Sequence, residues 1–264
     1  MITFEKLASN GRLGNQMFQY ALLLGIEHKL GHRIVLSESI DSESIYGRFE
    51  LQRTFNLTRA HFYNKRDISY KETYKEERFH YDARFFKKVH DYMNFEGYFQ
   101  SEKYFAHCKN VVQQEFTFHH HIQEEAKKFL EPVMHKTKVS LHVRRGDYVH
   151  QPNYHPLCGI DYYKEAINNF SDDEQFVIIS DDIEWCKENL PVKNAIYTNF
   201  EPGTDMCIMS MCDHNIIANS TFSWWGAWLN LNVNKKVIAP KIWFGPYYQH
   251  YDTKDLYCEG WSII

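Results

Sequence analysis

The chain has 264 residues and no apolar run of the about 18–20 residues that a helix needs to cross a bilayer. No secretory signal pattern opens it. Together these absences lead us to expect a cytoplasmic protein, or one loosely held at the inner membrane face. An excess of positive charge is also missing. Lys and Arg number 30 against 34 Asp and Glu, for a net charge of −4, and the pI is near 6.4. No global basic field exists, so nucleic acid is excluded as a main partner. The six cysteines lack close zinc-type spacing, and Cys186, Cys207 and Cys212 fall in apolar runs. They read as reduced thiols. Consecutive His119, His120 and His121 cannot easily face one ion, and they read as a solvated loop. Internal repeats and low-complexity tracts are absent. Two glycine signatures are incomplete: Gly11 and Gly14 precede a helical pattern, but no third glycine follows at dinucleotide spacing and no Gly-Lys-Ser/Thr follows either.

What is present is an alternating α/β pattern. A short apolar start, Ile2 to Leu7, runs into the Gly11–Gly14 turn. A helix follows with Phe18, Ala21, Leu22 and Gly25 on its buried face and Gly31 as its C-terminal cap. Ile34-Val35-Leu36 then forms a strand, which makes this an opening βαβ unit. Residues 41–95 are polar and tyrosine-rich with weak periodicity, where acceptor-facing loops fit. An amphipathic helix over 122–131 is closed by Pro132. Beyond about residue 135 the alternation is regular: strands 139–144, 175–180, 195–198, 214–218 and 236–239, with helices 161–170, 183–189, 204–212 and 222–229 between them. Such a series means a parallel sheet with helices on both faces. Two Rossmann-like domains are expected, 1–135 and 136–264, with the nucleotide bound mainly by the second.

Three stretches carry chemistry. The first is His142-Val143-Arg144-Arg145-Gly146-Asp147-Tyr148-Val149, at the end of the apolar strand 139–143. Alternation puts Val139, Leu141 and Val143 on one face, and Ser140, His142 and Arg144 on the other. A guanidinium ending a core-like strand needs an anion. That anion is either a ligand at the strand end or Asp147 in a structural pair. The second stretch is Asn10-Gly11-Arg12-Leu13-Gly14-Asn15-Gln16, a helix N-terminus with free N–H groups and two amide side chains, suited to the polar groups of a sugar or phosphate. A plain turn needing positive φ is the alternative. The third, Asn219-Ser220-Thr221-Phe222-Ser223-Trp224-Trp225, starts where strand 214–218 runs out. Its hydroxyls can cap the next helix and meet a phosphate. Trp225 and Trp228 pack at helical spacing.

In order along the chain, these motifs resemble glycosyltransferase family 11, and in particular a bacterial α-1,2-fucosyltransferase. Gly97-Tyr98-Phe99-Gln100-Ser101 and residues 176–186 continue the order. One departure is Arg12, where the family usually carries a second glycine. Arginine stands there in protein O-fucosyltransferases. The resemblance implies a GT-B-like fold of two Rossmann-type domains with the nucleotide-sugar site in the cleft between them. It also implies inverting transfer of L-fucose from GDP-β-L-fucose to the 2-hydroxyl of a terminal β-galactoside, the galactose-terminated glycan being the acceptor partner.

No cofactor and no metal are expected, since Asp172-Asp173 and Asp181-Asp182 are the acidic pairs and no Asp-x-Asp occurs. Arg144 takes the leaving pyrophosphate, because a preorganised bidentate arginine can replace a metal. Arg145, of opposite parity, pairs with Asp147 or supports the turn. By position His142 and Asp205 resemble guanine-reading residues, although Asp205 equally suits a helix N-terminal charge. Gly14, Asp181, Ser220, Thr221 and Ser223 complete donor binding, with Asp181 alternatively capping a helix. Arg12, Asn15 and Gln16 face the acceptor.

The base that deprotonates the acceptor is not identified. Related α-1,6 enzymes carry a glutamate ten residues after the motif histidine, where this chain has Pro152. Asp147 and Asn15 are the catalytic candidates besides Arg144. A fucosyltransferase of another linkage such as α-1,6 and a non-catalytic sugar-binding module are the other readings. A sulfotransferase would need more than the lone Arg12 in its first βα turn.

Overall fold

The computed structural model describes residues 1–38 and 49–264, so residues 41–48 of the tyrosine-rich segment lie outside the described residues. The chain divides into two compact units. Unit 1 is residues 1–119 with 251–257, and unit 2 is residues 120–250 with 258–264. The division expected at 135 therefore falls at 119/120. The amphipathic helix drawn at 122–131, observed as His120–Leu130, belongs to unit 2 because Glu125 accepts a 2.7 Å hydrogen bond from the Thr204 hydroxyl and Phe129 meets Phe200 edge-on at 5.6 Å. It also absorbs His120 and His121, so only His119 stays outside a helix, its Nε2 2.9 Å from the Gln52 carbonyl.

In unit 1 the elements run β1 (Ile2–Thr3), α1 (Leu13–Leu30), β2 (Val35–Ser37), α2 (Glu50–Thr54), β3 (His61–Tyr63), β4 (Glu72–Lys75), α3 (Phe85–Lys88), β5 (Met93–Glu96) and α4 (Lys109–Glu115). The opening βαβ unit is present, and Gly31 ends α1 at φ 74°, the left-handed cap that glycine adopts without Cβ strain. Helix α1 is buried on every side from Leu13 to Ile26 except at Asn15, not on one face alone. At Gly25 another backbone comes so near that a Cβ would stand 2.2 Å from the Tyr104 carbonyl oxygen. The parallel order is β1–β5–β4, and β2–β3 joins through the Ile2–Ile34 bridge. The tyrosine-rich segment thus supplies β3, β4 and β5. Their brevity and the exposure of β3 and β4 erase the periodicity that would have marked them.

Unit 2 runs α5 (His120–Leu130), β6 (Lys138–Val143), α6 (Ile160–Ile167), β7 (Gln175–Ser180), α7 (Ile183–Asn189), β8 (Ala195–Thr198), α8 (Pro202–Ser210), β9 (His214–Ile216), α9 (Thr221–Leu229), β10 (Val237–Ala239) and β11 (Ser262–Ile263). The last strand was not anticipated. It pairs with β10 after the chain has returned to unit 1 for residues 251–257. All neighbours are parallel in the order β11–β10–β9–β6–β7–β8. The chain starts at β6, runs outward to β8, then returns to the other side of β6. This is the Rossmann order, and its reversal point lies between β6 and β9. Alternation along β6 holds: Val139, Leu141 and Val143 join one core with Tyr163, Ala166 and Cys186 of α6 and α7. On the opposite face the Ser140 hydroxyl accepts from the Asn215 amide at 2.7 Å, and His142 meets Phe222 of α9 at 5.4 Å.

Candidate active site

The C-terminal ends of β9, β6, β7 and β8 stand side by side, a row of about 14 Å at the usual strand spacing. Open α/β sheets bind ligands at such ends, beside the reversal point. His142, Arg144, Asp181, Asp205 and Ser220 all lie along this row or in the turns that leave it.

Arg144 follows the last residue of β6. Its Nη1 lies 2.7 Å from Asp181 Oδ2, its Nη2 donates to Asp147 Oδ1, and the guanidinium sits 5.3 Å from the centre of the Tyr148 ring. Arg145 turns away from the row. Its Nε donates to Asp182 at 2.8 Å, its guanidinium covers the Trp185 ring at 4.3 Å, and its backbone N–H donates to Asp181 Oδ1 at 2.8 Å. The pairing of Asp147 with Arg145 is thus replaced: Asp147 pairs with Arg144, and Arg145 ties the turn to α7. Asp182, not Asp181, caps α7, accepting from the Trp185 N–H at 3.2 Å. A Cβ on Gly146 would fall 2.5 Å from Asp181 Oδ2, so the Arg-Arg-Gly turn can close on that carboxylate only with glycine there.

His142 is buried, and its Nδ1 has no hydrogen-bond partner within the protein. Burial, reinforced by the neighbouring Arg144 charge, holds its pKa at about 3, so the ring is neutral at physiological pH. Asp205 is buried at the start of α8. Its Oδ1 accepts from the Thr198 hydroxyl at 2.7 Å and the Phe200 N–H at 3.2 Å. Burial pushes its pKa up to about 6, and Glu125 adds to the effect. A carboxylate buried without a cation costs stability, and such groups concentrate at functional sites.

Ser220 caps α9, its Oγ accepting from the Phe222 N–H at 3.3 Å, and Thr221 opens the helix. Ser223 does not share that turn's outer surface. It is fully buried, and its hydroxyl faces the carbonyls of Ala218 at 3.4 Å and Ser220 at 3.3 Å, because position 223 is already inside the helix. Three residues given no role from sequence, Asn219, Tyr148 and His155, shape the site. The Asn219 amide donates to the Pro156 carbonyl at 2.8 Å and the Trp243 carbonyl at 3.1 Å, pinning two loops to the end of β9. Tyr148 stacks on His155 at 4.8 Å. Asn219 stood inside a quoted motif and was legible as a turn residue. His155 carried no signal.

In unit 1, Gly11 has φ 115° and a Cβ there would meet the Asn15 amide at 2.2 Å, so the turn demands glycine. Arg12 is exposed at the N-cap, Gly14 is buried in the first turn of α1, and Asn15 Oδ1 accepts from the Gln100 amide at 3.0 Å. Gln16, expected toward the acceptor, has its side chain turned into the protein. It is buried, donating to the Gly11 carbonyl at 3.2 Å and accepting from the Glu50 N–H at 2.9 Å, so both its polar ends serve the loop.

The chain is similar to several known glycosyltransferases. An α-1,2-colitosyltransferase of Escherichia coli is 33% identical over 89% of this chain and 90% of its own length. The O-antigen biosynthesis glycosyltransferase WbnK of Escherichia coli is 29% identical over 89% and 93%. Human galactoside α-(1,2)-fucosyltransferase 1 is 28% identical over 83% of this chain and 64% of its own length. Among solved structures, POFUT1 with GDP superposes with a TM-score of 0.53 at 16% identity, covering 90% of this chain and 97% of that one. The fucosyltransferase NodZ from Bradyrhizobium gives 0.52 at 11%, covering 85% and 91%. At such identities these structures speak for the fold, a GT-B-like α/β build. Glycosyl transferase family 11 matches from residue 2 to residue 264, leaving neither unit outside it, and the chain belongs to that family.

Proposed function

We propose that this glycosyltransferase moves L-fucose from GDP-β-L-fucose to the 2-hydroxyl of a terminal β-galactoside, with inversion and without a metal. The observation that carries the donor half is the row at the sheet's C-terminal edge. There, an arginine just past the end of β6, a buried histidine within β6 whose Nδ1 is unpartnered, and a buried carboxylate at the start of α8, with no cation against it among the described residues, share the C-terminal side of the sheet. The histidine and the carboxylate are each incomplete in a way that one part of a guanosine diphosphate completes, and the arginine holds an exposed partner, Asp147, that a phosphate can displace.

Asp205 accepts the guanine N1–H and N2–H, a pair that adenine and uracil do not offer, while His142 Nδ1 meets the nucleoside. Arg144 meets the β-phosphate. Its present partner on Nη2, Asp147, has a side chain 46% exposed, so the carboxylate rotates into water as the phosphate takes its place. Asp181 stays on Nη1 and keeps the fork in plane. As the fucose–oxygen bond breaks, charge builds on the departing diphosphate, and the bidentate guanidinium stabilises it more in the transition state than before. Ser220 and Thr221 contribute hydroxyls from the turn before α9. The acceptor O2 attacks fucose C1 from the face opposite the diphosphate, the C1–O bond to the diphosphate breaks, and the hydroxyl proton leaves to solvent, so a single displacement turns the β-linked donor into an α-linked product.

The test is transfer from GDP-fucose to lactose-type galactosides in excess EDTA, with the product linkage read by NMR. An α-1,2 product formed without added metal supports the proposal. Loss of activity in EDTA restored by Mg²⁺ or Mn²⁺ refutes its metal-free part. A second donor is favoured by one finding, the 33% identity to an α-1,2-colitosyltransferase. GDP-colitose run beside GDP-fucose under equal conditions decides between them.

A further inference from the structure

The Gly97-Tyr98-Phe99-Gln100-Ser101 motif has so far been given no task. It leaves the C-terminal end of β5, beside the ends of β1 and β4. Its backbone is unusual: Gly97 has φ 153° and Phe99, a non-glycine residue, has φ 52°. Single residues hold such conformations only where their surroundings enforce them, and they cluster at functional sites.

Here the enforcement is visible. Glu76, directly after β4, accepts the Tyr98 N–H at 2.7 Å on one oxygen and the Phe99 N–H at 3.0 Å on the other. The Gly97 carbonyl accepts from the Gln19 amide at 3.1 Å and the Asn10 amide at 3.4 Å. The Gln100 amide donates to Asn15 at 3.0 Å. The motif is thus stitched from both ends to the turn and first helix over residues 10–19, and the Tyr98 side chain, 41% exposed, is presented at the surface.

The stitching is also unfinished. Gln100 and Gln19 are both buried, and the side-chain oxygen of each has no hydrogen-bond partner. Buried carbonyl oxygens are seldom left so in a folded protein unless a ligand or ordered water supplies the donor. Two in one network, flanking a strained turn that displays an aromatic ring, would be completed by donors on an incoming group. A pyranose has both surfaces needed: hydroxyl donors on its rim and an apolar C–H face that lies against an aromatic ring.

We infer that these strand ends of unit 1 form a sugar subsite for the acceptor, in which Gln100 Oε1 receives an acceptor hydroxyl and the Tyr98 ring carries the apolar face of the pyranose. Glu76 is the positioning residue that holds the turn. The assignment rests on the glycosyltransferase reading above, and it adds Tyr98, Gln100 and Glu76 to Asn15 and Arg12.

The experiment is saturation-transfer NMR of methyl β-galactoside on the full chain with GDP bound, followed by transfer kinetics. Wild type should give a sugar signal. Tyr98→Ala and Gln100→Leu should lose it and raise the acceptor KM at least tenfold, while GDP affinity and donor KM stay within twofold. Tyr98→Trp should restore binding, and Glu76→Gln should raise the acceptor KM more than it lowers kcat. No sugar signal from wild type, or acceptor KM unchanged in both Tyr98→Ala and Gln100→Leu, would overturn the subsite. GDP binding by wild type, read by thermal shift in the same samples, stands or falls separately and reports on the donor assignment.

Discussion

Asp205→Asn should make the protein more stable and less able to bind its donor. Burial raises the Asp205 pKa from 3.8 to about 6, which sets the charged form against the neutral one by roughly 3 kcal/mol. The sign follows from linkage. The folded protein binds this proton more tightly than the unfolded chain, so the contribution favours folding at low pH and is lost as pH rises from about 4 through 6. Above that window the carboxylate is a standing cost of up to about 3 kcal/mol.

Asparagine carries no charge to desolvate, and its Oδ1 can still accept from the Thr198 hydroxyl and the Phe200 N–H, which both reach the same oxygen of Asp205. Urea unfolding at pH 7.5 should therefore show the variant more stable by about 1–3 kcal/mol, with the difference fading toward pH 4. Calorimetric titration should show the opposite trend for ligand. GDP should bind at least about tenfold more weakly, the value of one hydrogen bond to a charged acceptor, and the preference for GDP over ADP and UDP should collapse. A variant destabilised at pH 7.5, or one that binds GDP as wild type does, would refute the assignment of Asp205 as a carboxylate kept for guanine.

Arg144→Ala should lower kcat/KM by about 10²–10³ or more, as removal of a preorganised donor to developing charge does. Arg144→Lys should be nearly as poor because it loses the fork; retention of more than about a tenth of wild-type kcat/KM by a folded Arg144→Ala protein, a loss under about 1.4 kcal/mol, would exclude it from the chemistry. Arg145→Lys should cost less activity and some thermal stability, since that side chain bridges the turn to Asp182 and Trp185; equal loss in both arginine variants would show the two roles wrongly divided. His142 titrates the other way from Asp205. Its folded pKa is depressed to about 3, so the stability it contributes is present above pH 6.5 and is lost as pH falls toward 3, and His142→Asn should flatten that part of the acid-unfolding curve. Gly97→Ala should destabilise by about 1–3 kcal/mol from strain at its positive φ, with its Cβ only 2.4 Å from that of Glu76; a Tm equal to wild type would mean the turn relaxes freely.

The sequence alone determined the strand–helix alternation of unit 2 from β6 to β10 and the chemical types at the strand ends, though not β11. Buried parallel strands are continuous apolar runs and their helices carry a clear period. For that reason β7, α7 and β8 were legible at the residues where they occur, and Arg144 could be placed at the end of β6 on the face of His142. Family motifs are local strings, and those too were readable. Tertiary structure decided which charges meet. Parity along β6 separates Arg144 from Arg145, but the partners Asp147, Asp181 and Asp182 were chosen by how the turns after β6 and β7 fold against each other. Burial was likewise invisible. Nothing local marks Gln16 as a loop tie and Gln100 as an unsatisfied acceptor. In unit 1 the strands β3 to β5 are too short to show a period, and Glu76 gains its task only because parallel pairing sets the end of β4 beside the end of β5. A hydrogen bond between residues more than twenty positions apart is a property of the fold, and the order of the letters does not contain it.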